Sequence, residues 1–136
     1  MRKVLLDTNA YVAFKKGESG AVEIVRLADR LGVSAVVLGE LLSGFAGGIR
    51  EAENRAELAE FLGSPRVAVL PLGERTAEYY ASTYQALRHR GRPIPTNDLW
   101  IAATAQEHVY SLFAHDEHFK AVEGLLTGRR LEDFLP

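Results

Sequence analysis

Residues 3–14 read Lys3-Val4-Leu5-Leu6-Asp7-Thr8-Asn9-Ala10-Tyr11-Val12-Ala13-Phe14. Val4-Leu5-Leu6 has the length and composition of a short buried strand. It stops at three residues that favour helix starts, and apolar spacing then predicts a helix over Thr8 to Phe14. The same alternation continues down the chain. Glu18 to Leu31 is predicted as a helix stopped by Gly32, and Val33 to Val36 as a strand. Leu38 to Phe45 is helical, and after Gly47-Gly48 a polar-faced helix runs from about Ile49 to Leu62, ended by Gly63-Ser64-Pro65. Arg66 to Leu70 is a strand, Glu74 to Arg90 a long helix, and Gly91 to Pro95 an extended connector that its prolines keep from being helical. Thr96 to His108 is a helix, Ser111 to Ala114 a strand, and the apolar residues from Leu125 to Leu135 supply a short fifth strand. Strands alternating with helices imply right-handed parallel crossovers. The expected fold is therefore α/β, three layers deep, with a central parallel sheet of four to five strands and helices on both faces.

The 136 residues are one domain's worth, and 47% hydrophobic with 25% charged residues suits a globular protein with a core. No repeat, low-complexity tract or linker interrupts them. No stretch reaches the roughly 18 apolar residues of a membrane span, and Met1-Arg2-Lys3 leads into a strand rather than a signal-peptide core. A cytoplasmic protein is expected. The absence of cysteine excludes disulfides, thiolate zinc sites and thiol catalysis, so any metal is hard and oxygen-bound.

Four acids stand where apolar runs stop: Asp7, Glu40, Asp98 and Asp116. Asp7 and Asp116 end strands. Asp98 opens a helix on its inward face, with Ile101, Ala102 and Ala105 at i+3, i+4 and i+7. Glu40 has Val37, Ser43 and Gly44 on its face, which leaves room beside its carboxylate. Each has an ordinary explanation. Asp7 caps a helix, Asp98 complements a helix dipole, Glu40 pairs with an arginine or a backbone cap, and Asp116 belongs to a turn. Together they fall at the carboxyl ends of parallel strands, where ligand sites form. Carboxylates held together against their repulsion need a cation.

The formal charge is −2, from 18 acidic and 16 basic residues; without the four acids, 14 acidic face 16 basic. Nucleic acid is permitted but not demanded. The run Arg88-His89-Arg90-Gly91-Arg92 either complements a helix C-terminus or forms a rail for phosphates. His115 and His118 lack histidine partners at helical spacing and are expected to be exposed polar residues or substrate contacts. Tyr79, Tyr80 and Tyr84 follow helical spacing and belong to core or interface.

Asp7-Thr8-Asn9, Glu40-Leu41-Leu42 after a strand, Pro95-Thr96-Asn97-Asp98-Leu99-Trp100-Ile101-Ala102-Ala103-Thr104-Ala105, and Asp116 followed by Phe119 together resemble the PIN-domain ribonucleases, specifically the VapC-type toxins of bacterial toxin-antitoxin pairs. The resemblance spans nearly the whole chain. It implies a Mg²⁺- or Mn²⁺-dependent endoribonuclease in which Asp7, Glu40, Asp98 and Asp116 form the metal-holding catalytic cluster. Thr8 and Asn9 match polar residues beside the first Asp and, with Arg88, Arg90 and Arg92, are the candidate substrate contacts. It also implies an RNA substrate such as tRNA or rRNA, a silencing antitoxin and a homodimer.

Three positions depart from the family pattern. Val37 stands where a hydroxyl residue commonly caps the helix bearing the Glu, Ala114 where one precedes the last Asp by two places, and His118 where a second acid often follows. A non-catalytic module binding a basic partner through the acidic pocket is the alternative, against which the retention of all four acids argues. A receiver-like domain wants an acid ending the third strand, where Leu70 is followed by Pro71-Leu72-Gly73. A haloacid-dehalogenase-type phosphatase wants Asp where Asn9 stands.

Overall fold

In the computed structural model, which describes residues 2–135, five parallel strands form one sheet in the order β3-β2-β1-β4-β5. The chain runs β1 (Lys3–Leu6), α1 (Thr8–Lys15), α2 (Ser19–Leu27), β2 (Arg30–Ser34), α3 (Ala35–Phe45), α4 (Glu51–Leu62), β3 (Val67–Leu70), α5 (Glu74–His89), α6 (Thr96–His108), β4 (Ser111–Phe113) and β5 (Thr127–Gly128). Two 3₁₀ turns, Glu117–Ala121 and Leu131–Phe134, complete it. The expected three-layer α/β architecture is what forms. The crossovers from β1 to β2 and from β2 to β3 step one way across the sheet, and the one from β3 to β4 steps back past β1. Right-handed crossovers that step in opposite directions put their helices on opposite faces.

β1 lies at the centre. Leu5 pairs with Gly32 on one side and with Leu112 on the other. Val4, Leu5, Leu6, Leu112 and Phe113 are fully buried, as expected of strands covered on both faces. Burial of each such side chain contributes about 1.5–3 kcal/mol. The antiparallel hairpin of α5 and α6 is tied by polar contacts inside an apolar interface. Thr83 Oγ1 donates to Gln106 Oε1 at 2.9 Å, Thr76 Oγ1 donates to Glu107, and the Tyr80 ring stacks on Trp100 with centroids 4.2 Å apart.

The second strand departs most from expectation. Leu31 and Gly32, read as the end of a helix, lie inside β2, and α2 stops at Leu27. Gly32 marks a close approach rather than a helix cap. A Cβ there would sit 2.9 Å from a Tyr110 ring carbon, 3.1 Å from Leu70 Cδ1 and 3.2 Å from Leu5 Cδ1. With the strand moved toward the N-terminus, α3 begins at Ala35 instead of Leu38, and Val36, expected in the strand, is helical. The cap of α3 moves with it. Ser34 is the N-cap, and its hydroxyl accepts from the Val37 N–H at 3.1 Å, so the helix bearing Glu40 has its hydroxyl cap after all. The remaining boundaries agree within about two residues, and the fifth strand forms from Thr127 and Gly128. Among the described residues no helix is long and apolar enough to cross a membrane.

Because the Ser34 hydroxyl is fully buried and serves that one N–H, Ser34→Ala should cost about 1 kcal/mol of stability. Chemical denaturation with an unchanged m-value measures it, and a change within error of zero removes the capping role.

Candidate active site

The two central strands deliver the first and last acids. β1 ends at Leu6, and the Asp7 backbone N–H continues the ladder by donating to Phe113 O on β4 at 3.1 Å. Asp7 is the N-cap of α1, with Oδ1 accepting from the Ala10 N–H at 2.7 Å. Asp116 follows β4 by three residues and caps the 3₁₀ turn Glu117–Ala121. Strand order reverses between β1 and β4, since later strands lie beyond β2 on one side and beyond β4 on the other. That is the point where an open parallel sheet leaves a crevice.

The other two acids come from helices. Asp98 lies in the first turn of α6, half-buried, and Glu40 is half-buried in α3. Glu40 is clamped by two side chains: Thr8 Oγ1 donates to its Oε1 at 2.6 Å and Asn97 Nδ2 donates to its Oε2 at 3.3 Å. Thr8, expected as a substrate contact, thus also holds the glutamate. Asn9 is exposed on α1.

Electrostatics show the acids to be neighbours. Burial pushes the Asp7 carboxyl up to about 6, and the charges of Asp98 and Asp116 add to the rise, while the Ala10 N–H and His115 oppose it. Burial likewise raises Asp98, helped by Asp116 and Glu40 and opposed by His118. Asp7 therefore feels Asp98 and Asp116, and Asp98 feels Asp116 and Glu40. Asp7 is only 6% exposed, so its charge is the costliest to maintain.

His118 is the residue that the sequence reading underrated. It is half-buried, and its ring bridges two acids, with Nδ1 2.8 Å from Asp116 Oδ1 and Nε2 against Asp98 Oδ2. Donor atoms of Asp98, Asp116 and His118 all lie within 4.8 Å of one another. The 3₁₀ turn folds the histidine back over the acid two residues before it, a local geometry that helical spacing does not reveal. Asn97 was likewise missed, though its place beside Asp98 was a signal. His115 is half-buried near Glu18, 3.9 Å from its Oε1, with Nδ1 buried and lacking a hydrogen-bond partner among the described residues.

The basic run divides. Arg90 is engaged, donating to Ala121 O and reaching Glu123 at 3.4 Å. Arg88 and Arg92 are exposed, and Arg88 lines a cavity of about 190 Å³ with Tyr84, Leu87, Pro93, Ile94 and Leu99.

A family model described as "PIN domain" matches residues 4–125. The chain belongs to the PIN-domain family. Ribonuclease VapC4 of Mycobacterium tuberculosis is 32% identical over 125 residues, covering 90% of this chain and 92% of its own. Ribonuclease VapC1 of Haemophilus influenzae strain R2866 is 33% identical over 116 residues, covering 82% and 85%. The structure of VapBC-1 from nontypeable Haemophilus influenzae superposes with a TM-score of 0.79 at 27% identity, over 93% of this chain and 96% of that one. The acids of this PIN domain thus sit in a fold shared along nearly its whole length.

The folded-state value of Asp7, about 6 against an ordinary 3.8, means that the folded protein binds this proton more tightly than the unfolded chain. Its contribution favours folding below pH 4 and is lost as pH rises through 6, on the order of 2–3 kcal/mol without metal. In chelator, Asp7→Asn, which keeps a good N-cap, should match the parent's stability near pH 4 and exceed it by about 2 kcal/mol at pH 7. Denaturation at both pH values tests this, and an advantage that does not grow with pH contradicts it.

Proposed function

We propose that this chain is a VapC-type endoribonuclease, the toxin of a toxin-antitoxin pair, which hydrolyses RNA phosphodiester bonds with Mg²⁺ or Mn²⁺. The observation that carries the reading is the convergence of Asp7, Asp98 and Asp116 at the crevice between the two central strands, with the charges of Asp98 and Asp116 felt at Asp7. The donor set fits a hard divalent cation. Its carboxylates are oxygen ligands, and burial makes the uncompensated charge of Asp7, and in part that of Asp98, costly. Asp7, Asp98 and Asp116 would hold it, with Glu40 supporting a water or a second ion. Such a cation, when bound, neutralises phosphate charge and makes water a better nucleophile.

The chain's own groups do the positioning. The Ala10 N–H fixes Asp7, and Thr8 with Asn97 fixes Glu40, so that the carboxylates meet the substrate without reorganising. Asp98, at the start of α6, gains from the helix dipole. Exposed Arg88 and Arg92 would meet RNA phosphates. The relatives named ribonucleases and the VapBC complexes among the structural neighbours support both the RNA substrate and an antitoxin partner. A homodimer and a cytoplasmic location, where tRNA and rRNA are found, belong to the same proposal.

Purified protein should cut RNA with Mg²⁺ or Mn²⁺ and not in chelator, and Asp98→Asn should lower the rate on the order of 100-fold or more. Undiminished cleavage by the variant, or cleavage without metal, would sink the reading. Replacing Arg88 and Arg92 together with Gln should reduce the slope of log affinity against log salt by roughly 1.4. Because the Arg90 guanidinium is already engaged, Arg90→Gln should leave that slope near the parent's. Equal effects of the two changes would reject the division.

A further inference from the structure

Both ring nitrogens of His118 face carboxylate oxygens, Nδ1 that of Asp116 and Nε2 that of Asp98. An unprotonated ring nitrogen offers a lone pair to a metal, so either nitrogen of His118 could serve as a ligand beside a carboxylate oxygen. A cation shared by that nitrogen and the neighbouring carboxylates would replace the direct contact. The Asp98, Asp116 and His118 donor atoms are close enough together to share one. The main chain favours the same placement, since the His118 N–H donates to Asp116 Oδ1 at 3.3 Å and keeps the histidine over the acid.

We propose that His118 is a nitrogen ligand in the acidic cluster and that it tilts the site toward first-row transition metals over Mg²⁺. The inference rests on the metal-dependent reading above and adds to it the identity of a ligand. Mg²⁺ takes oxygen ligands and keeps several waters, whereas an imidazole suits transition metals. Substituting imidazole for an all-oxygen position therefore discriminates by ligand type, since the carboxylates serve either metal.

Mn²⁺ is the probe, because electron spin echo envelope modulation of bound Mn²⁺ detects a directly coordinated ¹⁴N. The full-length protein loaded with Mn²⁺ should show histidine ¹⁴N modulation that persists in His115→Asn and vanishes in His118→Asn. Competition titrations should show Mn²⁺ bound at least tenfold more tightly than Mg²⁺, with His118→Asn weakening Mn²⁺ about tenfold and Mg²⁺ less than twofold. Labelling the unchanged protein with ¹⁵N-histidine should replace the ¹⁴N pattern, which keeps the test available if the variant does not fold. Mn²⁺ bound without nitrogen modulation, or modulation lost in His115→Asn instead, overturns the role of His118 while leaving the metal-dependent reading intact. Failure to bind Mn²⁺ or Mg²⁺ at all overturns both.

Discussion

Repulsion between carboxylates at the carboxyl end of the sheet is the constraint around which this molecule is built. Asp7 is nearly buried, and Asp98 and Asp116 press on it with charge of the same sign. A protein selected for stability alone would put a neutral residue there. Each fixed contact in the neighbourhood offsets part of the cost: the Ala10 N–H on Asp7, the hydroxyl of Thr8 and the amide of Asn97 on Glu40, and the ring of His118 across Asp98 and Asp116. They also hold the carboxylates in place, which is what a site for a charged substrate requires. Stability given up at such a site is a usual accompaniment of function.

The sheet topology explains why these particular acids meet. Among the described residues, only β1 and β4 are adjacent strands whose flanking strands lead in opposite directions, so it is between them that the loop end of the sheet opens. Asp7 directly follows β1 and Asp116 follows β4 by three residues, and the bond from the Asp7 N–H to Phe113 O ties the two strand ends. Asp98 comes from the helix that leads into β4, and Glu40 from the helix that follows β2. Local and distant contributions serve different ends. A ladder bond fixes Asp7 and Asp116 is fixed by the 3₁₀ turn that it caps, while Glu40 depends on side chains 32 and 57 residues away.

Much of this was legible because strands buried on both faces read as short apolar runs and the acids that end them stand out. The helix Thr96–His108 was predicted with its observed bounds, since Pro93 and Pro95 bar a helix before it and apolar spacing defines the rest. Gly32 misled because glycine carries two meanings, a helix stop and a close approach between packed chains, and only the neighbouring strands distinguish them. That one ambiguity displaced β2 and hid Ser34 as the cap of α3. His118 was illegible for another reason. Helical periodicity is blind to a 3₁₀ turn, in which a residue two places after an acid can bend back over it. Arg90 resembled its neighbours Arg88 and Arg92 because pairing with Ala121 and Glu123, more than 30 positions away, leaves no mark on local composition.

The departures from the family pattern also change meaning once placed in space. Val37 has no hydroxyl, but it is the third residue of α3 rather than its cap, and its N–H is the group that Ser34 satisfies. Ala114 is buried beside the acids and offers Asp116 no side-chain hydrogen bond, yet Asp116 is not left free, because the main chain and ring of His118 both engage it. His118 also stands where a second acid often occurs. Replacing that acid by a histidine removes one negative charge from a cluster already strained by repulsion and supplies donor groups in its place. The three departures therefore do not point to a decayed site. One is answered by the Ser34 hydroxyl three residues earlier, and the other two act as a pair, in which the histidine provides the contact that the alanine cannot.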